Sequence, residues 1–385
     1  MDRVISEVND VGGILALSFR TRRHCLPITM RSGAENLKKS GRPPTTREIA
    51  AACGCNQSTV SQALRDHPRI SPARRREIQE VARRMGWRPN AFASAYMAHL
   101  RTQRLPSYQA TLAFLTTHAG SPHVKDLPIY MRRHFNGTRE RAEELGYALE
   151  PIWLHEPGMS GRRLNSVLRN RNIPGVIIPG ILKPTPLFGQ FDWSRVVAVA
   201  LGFSLTEPDI DRVAVRTTHG FDLMLHRAVE LGYRKIAVVV SHAYDHRVDH
   251  GVLFPTSYAQ QHWPRSQTIE TFCFPRPDES EIPRIQDWLR RYRPEIVLGE
   301  DIVWRSINAM GWRMPRDVAF ISVDRLPDWP DIAGFNQRHE LHGSVAVDLV
   351  VGQLLQNQRG LPAVPRCVLI KGCWEDGATA PPRTS

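Results

Sequence analysis

Apolar and polar positions change rhythm twice along the chain. Between Thr45 and Trp87, short apolar sets recur at helical spacing. Thr45-x-x-Glu48 has the form of a capping box, which satisfies the open amides of a helix start, and Ile49, Ala50, Ala51 and Ala52 continue that helix. Gly54 ends it, because glycine takes the left-handed cap without steric penalty. Asn56 is placed as the N-cap of a second helix, Gln57 to Leu64, with Val60 and Leu64 facing inward. A third helix opens at Ser71 with Pro72 in its first position. Ile78, Val81, Ala82 and Met85 form its apolar stripe, and Gly86 stops it. The connection Cys53-Gly54-Cys55-Asn56 is as short as a helix-turn-helix requires.

From Thr111 the pattern becomes an alternation of short apolar runs and helical segments. Strands are predicted at Thr111–Thr116, Tyr147–Leu154, Gly175–Pro179, Val196–Ala200, Lys235–Val240, Glu295–Leu298 and Val318–Val323. Helices are predicted near Ile129–Leu145, Arg162–Asn170, Phe221–Leu231, Glu281–Tyr292 and Val345–Gln356. Such alternation predicts a parallel α/β architecture in two lobes, with ligand groups at the carboxyl ends of the strands. The expected organisation is a basic, poorly ordered arm over residues 1–44 and an all-α helix-turn-helix unit over 45–89. A linker helix over 90–108, a two-lobed α/β core over 109–376 and a frayed tail over 377–385 complete it. Met30 offers an alternative start, which would leave residues 1–29 outside the native protein.

Charge sharpens this division. The 385 residues carry 51 Lys/Arg and 38 Asp/Glu, a net charge of +13. Residues 1–105 hold 19 of the basic residues against 8 acidic ones, so nearly all the excess lies there. A basic module joined to a near-neutral body points to polyanion binding by the first part alone. In the second helix, Gln57, Ser58, Ser61 and Gln62 fall opposite the apolar side, where a recognition helix meets base edges. Glutamine pairs bidentately with adenine N6/N7, and serine is a more permissive reader. Thr59 and Ser61 are placed to donate to phosphates. Arg74, Arg75, Arg76, Arg83 and Arg84 line the third helix with few compensating acids, which fits a phosphate backbone.

Other chemistries find little support. There is no glycine-rich dinucleotide loop after a strand, no Walker sequence and no G-x-S-x-G elbow, so neither an enzyme nor a cofactor is expected. The six cysteines are scattered, with Cys53 and Cys55 too close for a zinc finger, and a reduced cytoplasmic setting is the simplest account. No apolar run is long enough to span a bilayer, and Glu7 and Asp10 break any signal-peptide core. His242, His246 and His250 recur every four residues and on a helix would share a face fit for zinc. The segment directly follows a predicted strand, however, and reads as a polar loop. Arg247 within it opposes a cation, so no metal is expected.

The stretch Thr45-Thr46-Arg47-Glu48-Ile49-Ala50-Ala51-Ala52-Cys53-Gly54-Cys55-Asn56-Gln57-Ser58-Thr59-Val60-Ser61-Gln62-Ala63-Leu64 resembles the headpiece of the LacI/GalR family of bacterial transcription regulators. Ile70-Ser71, Arg75, Ile78 and Met85-Gly86-Trp87-Arg88-Pro89-Asn90 continue the match. The resemblance implies that Gln57, Ser58 and Gln62 read bases, with Thr46, Asn56, Thr59, Ser61, Ser71 and Arg75 also at the DNA. It implies that Asn90 starts a hinge helix docking in the minor groove. Where the family carries an intercalating leucine, this chain has Tyr96 followed by Met97.

The core is similar to the family more sparsely, at Leu231-Gly232-Tyr233-Arg234-Lys235-Ile236-Ala237, at Arg293-Pro294-Glu295-Ile296-Val297 with Glu300-Asp301, and from Met314 to Asp324. The implied fold is a periplasmic-binding-protein-like core with parallel sheets, holding a small effector between its lobes and forming homodimers. Arg247 and Asp324 match the family's effector-binding arginine and aspartate, and Asp301 its lobe-face acid. Departures occur at Arg216-Thr217, where the family reads Asp-Asn, and in the Arg247–Gly251 spacing, one residue longer than usual. The implied protein is a cytoplasmic regulator, a repressor by family habit, which binds a pseudo-palindromic double-stranded operator as a dimer. A sugar or sugar derivative would shift its operator affinity. A ligand-blind architectural DNA binder and a stand-alone small-molecule binder or enzyme are the rival readings.

Overall fold

The computed structural model describes residues 44–64, 70–87, 108–180 and 186–383, in two compact units divided after Asn90. Asn90, Tyr96 and Met97, the hinge segment up to residue 107 and the arm up to residue 43 lie outside the described residues.

The first unit holds three helices, α1 (Thr46–Ala52), α2 (Gln57–Ala63) and α3 (Pro72–Arg84). Both halves of the Thr45/Glu48 capping box are made, and Gly54 takes φ +59° at the turn. Ser71 caps α3, its side chain accepting from the Arg74 amide. Asn56 stands at the N-cap of α2 but its side chain makes no capping bond. Ile49, Ala50, Val60, Ala63, Ile78 and Ala82 form one small core. The arginine face of α3 is less open than its sequence suggests. Arg74 pairs with Glu77 and donates to the Cys53 carbonyl at 2.7 Å, and Arg83 pairs with Glu80.

The second unit carries strands β1 (Ala110–Thr116), β2 (Tyr147–Trp153), β3 (Gly175–Ile178), β4 (Val197–Leu201), β5 (Arg212–Val215), β6 (Lys235–Ser241), β7 (Thr268–Phe274), β8 (Ile296–Gly299), β9 (Ala319–Ser322), β10 (Ala333–Asn336), β11 (Cys367–Ile370) and β12 (Cys373–Glu375). Its α-helices are α4 (Ile129–Glu144), α5 (Gly161–Asn170), α6 (Thr217–Glu230), α7 (His242–Arg247), α8 (Leu253–His262), α9 (Ile282–Tyr292), α10 (Asp301–Ala309) and α11 (His339–Leu355).

Two six-stranded sheets result, in the orders β11-β5-β4-β3-β1-β2 and β12-β10-β9-β8-β6-β7. Both are parallel apart from β12, which runs antiparallel to β10. Their central strands are buried on both faces, as helix-covered parallel sheets require. Each sheet marks a lobe, and the chain passes between lobes three times: after β5, between β10 and α11, and between β11 and β12. Thus α11 follows a strand of the second lobe yet packs on the first, where Ala346, Val347 and Val350 join Leu112, Val197 and Val213. Among the described residues no helix is long and apolar enough to cross a membrane.

Two expectations need correction. The segment read as a loop after β6 is the short helix α7, because the Ser241 side chain caps it by accepting from the Tyr244 amide at 3.0 Å. The stretch from Gly377, read as frayed, is anchored. Thr379 Oγ1 donates to the Phe320 carbonyl and accepts from the Ala333 amide, and Ala380 is buried. Tyr233 donates to the Pro381 carbonyl at 2.8 Å, and Arg383 pairs with Glu295. These bonds extend the second sheet's hydrogen bonding past β12, which a run of glycine, proline and small residues does not advertise.

Candidate interlobe cleft

A parallel α/β sheet presents its loops at the carboxyl ends of its strands, and there the backbone leaves room for a ligand. In the second lobe β6 delivers α7, β7 delivers Arg276, β8 delivers Glu300 and Asp301, and β9 delivers Val323 and Asp324. These residues and the opposing Tyr130, Phe188, Trp193 and Ser204 of the first lobe line one cleft of about 1860 Å³. The three residues assigned to effector binding, Arg247, Asp301 and Asp324, all line it.

Their environments differ. Arg247 ends α7, with its guanidinium 5.6 Å from the centre of the Tyr244 ring. Asp324 accepts from His339 Nε2 at 2.8 Å, which fixes its carboxylate at the cleft floor. Asp301 is exposed at the start of α10 and pairs with Arg305 at 2.9 Å, so its charge is already partly answered at the rim. Tyr244 is buried and its hydroxyl accepts from Gln337 at 2.9 Å. Burial pushes the Tyr130 and Tyr244 phenols up, with Arg247 opposing that shift in both, so both stay neutral donors.

Sequence reasoning missed Glu300. It is buried at the N-cap of α10 and accepts from the Ser241 amide at 2.5 Å. Burial pushes its carboxyl up to about 6, against the stabilising hydrogen bond from Ser241 and the nearby Arg247 charge. The folded pKa lies above the ordinary 4.5, so the native state holds the proton more tightly. The resulting stability is fully present below about pH 4.5 and is lost as pH rises through 6, a change of about 2 kcal/mol. Glu300→Gln keeps an acceptor for the Ser241 amide and is expected to remove that pH dependence. Urea midpoints at pH 4.5 and 7.5 check it, and an unchanged slope in the variant would place the dependence on another group.

The three regularly spaced histidines do not converge. His242 and His246 share the short helix, but His250 lies past its end at φ +57° and bonds Asp245 at 2.9 Å. Buried Asp245 also accepts from the Val252 and Leu253 amides, so it organises the turn into α8. At the departures from the family pattern, Arg216 stands at the N-cap of α6, and Thr217 is buried at 6% exposure where a Cβ on Gly251 would lie 2.7 Å from its own Cβ. Thr217 thus packs against Gly251 and lines a small cavity separate from the cleft.

In the helical unit, α2 exposes Asn56, Gln57 and Ser58, while Thr59, Ser61 and Gln62 are half-buried. Gln57 Nε2 donates to Thr46 Oγ1 at 2.9 Å, tying α2 to α1. Ser71 is exposed and Arg75 half-buried on α3.

No family model matches the chain. It is 23% identical to the HTH-type transcriptional regulator CelR of Thermobifida fusca over 329 residues, 81% of this chain and 92% of that protein. It is 26% identical to the HTH-type transcriptional regulator AglR of Rhizobium meliloti (strain 1021) over 200 residues, 51% of this chain and about half (52%) of that protein's length. Among solved structures it is similar to a transcriptional regulator CelR–cellobiose complex, at 20% identity and TM-score 0.55, covering 87% of this chain and 99% of that one. It is also similar to the Lac repressor dimer bound to operator and the anti-inducer ONPF, at 17% identity and TM-score 0.52, covering 88% and 100%. The chain therefore shares the fold of these two solved regulators.

Proposed function

We propose that this protein is a sequence-specific, DNA-binding transcription regulator whose operator affinity is set by a saccharide held in the interlobe cleft. The observation that carries the reading is the joining, in one chain, of two parts. One is a basic three-helix unit whose second helix turns Gln57, Ser58, Ser61 and Gln62 away from its core. The other is a two-lobed core with a polar, aromatic-lined cleft. In this reading α1 and α2 are the helix-turn-helix, α2 reads base edges, and residues 90–108 are the hinge. Thr46, Asn56, Thr59, Ser71 and Arg75 position the unit on phosphates, and Asn90, Tyr96 and Met97 meet the minor groove. One such unit reads a half-site, so the acting species is a homodimer on a pseudo-palindrome. Phe254 and Tyr258, four apart and exposed on α8, offer apolar surface for that association. The setting is the cytoplasm, where the DNA is, and the role is repression rather than catalysis.

The ligand class follows from the cleft walls. Tyr130, Phe188, Trp193 and Trp329 supply flat apolar faces, and Arg247, Arg276, Asp301 and Asp324 supply donors and acceptors. A pyranose has both an apolar C–H face and a rim of hydroxyls. A cleft above the roughly 300–1,000 Å³ of ordinary small-molecule pockets suits more than one ring. Cellobiose, the ligand in the CelR complex, is the first saccharide to titrate.

Enrichment of bound sequences from a random DNA pool, with Gln62→Ala in parallel at fixed salt, tests the DNA half. A palindromic motif is expected, and Gln62→Ala should cost about 1–3 kcal/mol on that motif while sparing non-specific binding. Arg75→Ala should instead weaken all DNA alike and lower the salt slope by about one. Equal losses on every sequence for Gln62→Ala would remove it from base reading.

A further inference from the structure

Three histidines meet where α4 crosses α11, beneath the cleft. His134 comes from α4, and His339 and His342 open α11. All three are buried, at 6%, 5% and 3% exposure. His134 Nε2 lies 3.2 Å from His339 Nδ1 and 3.3 Å from His342 Nδ1, and ring nitrogens of all three fall within 4.8 Å of one another. The helices come this close because glycines face each other's backbone. A Cβ on Gly137 would lie 2.0 Å from the Glu340 carbonyl oxygen, and one on Gly343 would lie 2.2 Å from that of His134.

The remaining nitrogen of His339 is held from the other lobe, Nε2 lying 2.8 and 3.1 Å from the two oxygens of Asp324. A carboxylate there keeps the proton on Nε2 and turns the Nδ1 lone pair toward the other two rings. Desolvation holds the His134 and His342 imidazoles below the usual histidine range, His342 at about 3, so both are neutral at neutral pH. The outward nitrogens, His134 Nδ1 and His342 Nε2, are buried and make no hydrogen bond, so among the three rings only His339 has its outer nitrogen held by a partner.

A tetrahedral ion with metal–nitrogen bonds of about 2.0–2.1 Å separates its nitrogens by about 3.4 Å, close to the two nitrogen–nitrogen distances above. Carboxylate–histidine–metal relays are the usual way a ligating imidazole is oriented. We propose that His134, His339 and His342 form a three-histidine site for a divalent transition metal of the zinc class, with Asp324 as the orienting carboxylate. A small cavity of about 100 Å³, lined by the same histidines with Tyr130, Tyr244 and Arg247, leaves space for a fourth ligand, and the Arg247 charge on its wall, which opposes a bare cation, favours an anionic one such as hydroxide. The ion would fasten α4 to α11 and, through Asp324, one lobe to the other. The site stands whether or not the cleft binds a saccharide.

The test uses full-length, untagged, chelator-treated protein titrated with Co²⁺. One ion per chain is expected, with the visible absorption bands of a four-coordinate nitrogen-bound ion, displaced by Zn²⁺. His134→Gln and His342→Gln should abolish the bands, and Asp324→Asn should weaken binding by about 10–100-fold. His246→Gln, an exposed position on α7, should leave them unchanged. Absent stoichiometric binding, or bands that survive both histidine substitutions, would overturn the site. Should either variant fail to fold by circular dichroism, X-ray absorption on the wild-type cobalt complex counts the imidazoles directly. Three support the assignment and fewer refute it.

Discussion

Gly343→Ala is expected to lower the unfolding free energy by about 3 kcal/mol or more, the upper end of what overpacking a close-packed interior costs. The added methyl would meet the His134 carbonyl oxygen at 2.2 Å, Thr138 Oγ1 at 2.6 Å and the Thr138 amide nitrogen at 2.7 Å. Two of those three obstacles are helix backbone, which cannot rotate away as a side-chain end can. Relief therefore requires α4 and α11 to move apart along a contact that also carries Phe135, Ala142, Ala346, Val347 and Val350 in the first lobe's core. Gly137→Ala meets the reciprocal obstacle, the Glu340 carbonyl, and should behave alike. Gly352→Ala is the control. It lies in the same helix, and nothing stands within 4 Å of the place its methyl would take, so the gain in helix propensity should stabilise by up to about 1 kcal/mol. Urea midpoints for the three variants decide the matter. A Gly343→Ala midpoint equal to wild type would mean that the helix axes separate without cost.

The outline of this fold was legible where an element carried a clear apolar run or stripe; α8, ten residues whose buried side is Pro255, Thr256 and Ala259, and the nine-residue α10 were not predicted. All seven predicted strands and all five predicted core helices are present, with ends shifted by a few residues. What was missed was short or half-exposed. β5, β10 and β11 have four residues each and β12 three, and none was predicted, whereas the equally short β3, β8 and β9 were. β7 is an edge strand next to β6, and its TIETFCF run keeps polar residues on exposed positions. Also hidden was the triple crossing between lobes, because the pattern of α11 says that it is buried but not against which sheet.

The site divides along the same line. Arg247, Asp301 and Asp324 were found through motif positions, and they do line one cleft. Glu300, adjacent to one of them, was passed over, since nothing in the sequence distinguishes a buried N-cap carboxylate from a solvated one. The His134, His339 and His342 cluster joins residues 205 and 208 positions apart, and only the crossing of α4 and α11 brings them together. The regular histidines at 242, 246 and 250 carried the clearer sequence signal and proved to be divided between a helix and the turn after it.

Arg247→Ala is expected to weaken binding of the proposed saccharide by about 30–100-fold while leaving DNA affinity in its absence near wild type. The guanidinium stands over Tyr244 and lowers the electrostatic cost of the buried Glu300 carboxylate, and it lines both the cleft and the smaller cavity behind it. A hydrogen bond from a charged donor contributes about 1.5–3 kcal/mol, and a guanidinium presents several donors in a fixed plane to neighbouring hydroxyls. Arg247→Lys keeps the charge but loses that fork, and should recover only part of the affinity. Asp301→Asn should change affinity by less than about 1 kcal/mol, because its exposed carboxylate is already paired with Arg305. Calorimetric titration gives the affinities, and anisotropy of a labelled site from the enrichment experiment gives the coupling. Coupling between the two ligands is reciprocal, so whatever factor the saccharide imposes on DNA affinity, DNA must impose on the saccharide. In Arg247→Ala the saccharide needed to release DNA should rise by the same factor of about 30–100. A variant that binds saccharide as tightly as wild type would place the ligand elsewhere than against α7. One that binds saccharide normally but no longer responds at the DNA would make Arg247 part of the relay between lobes.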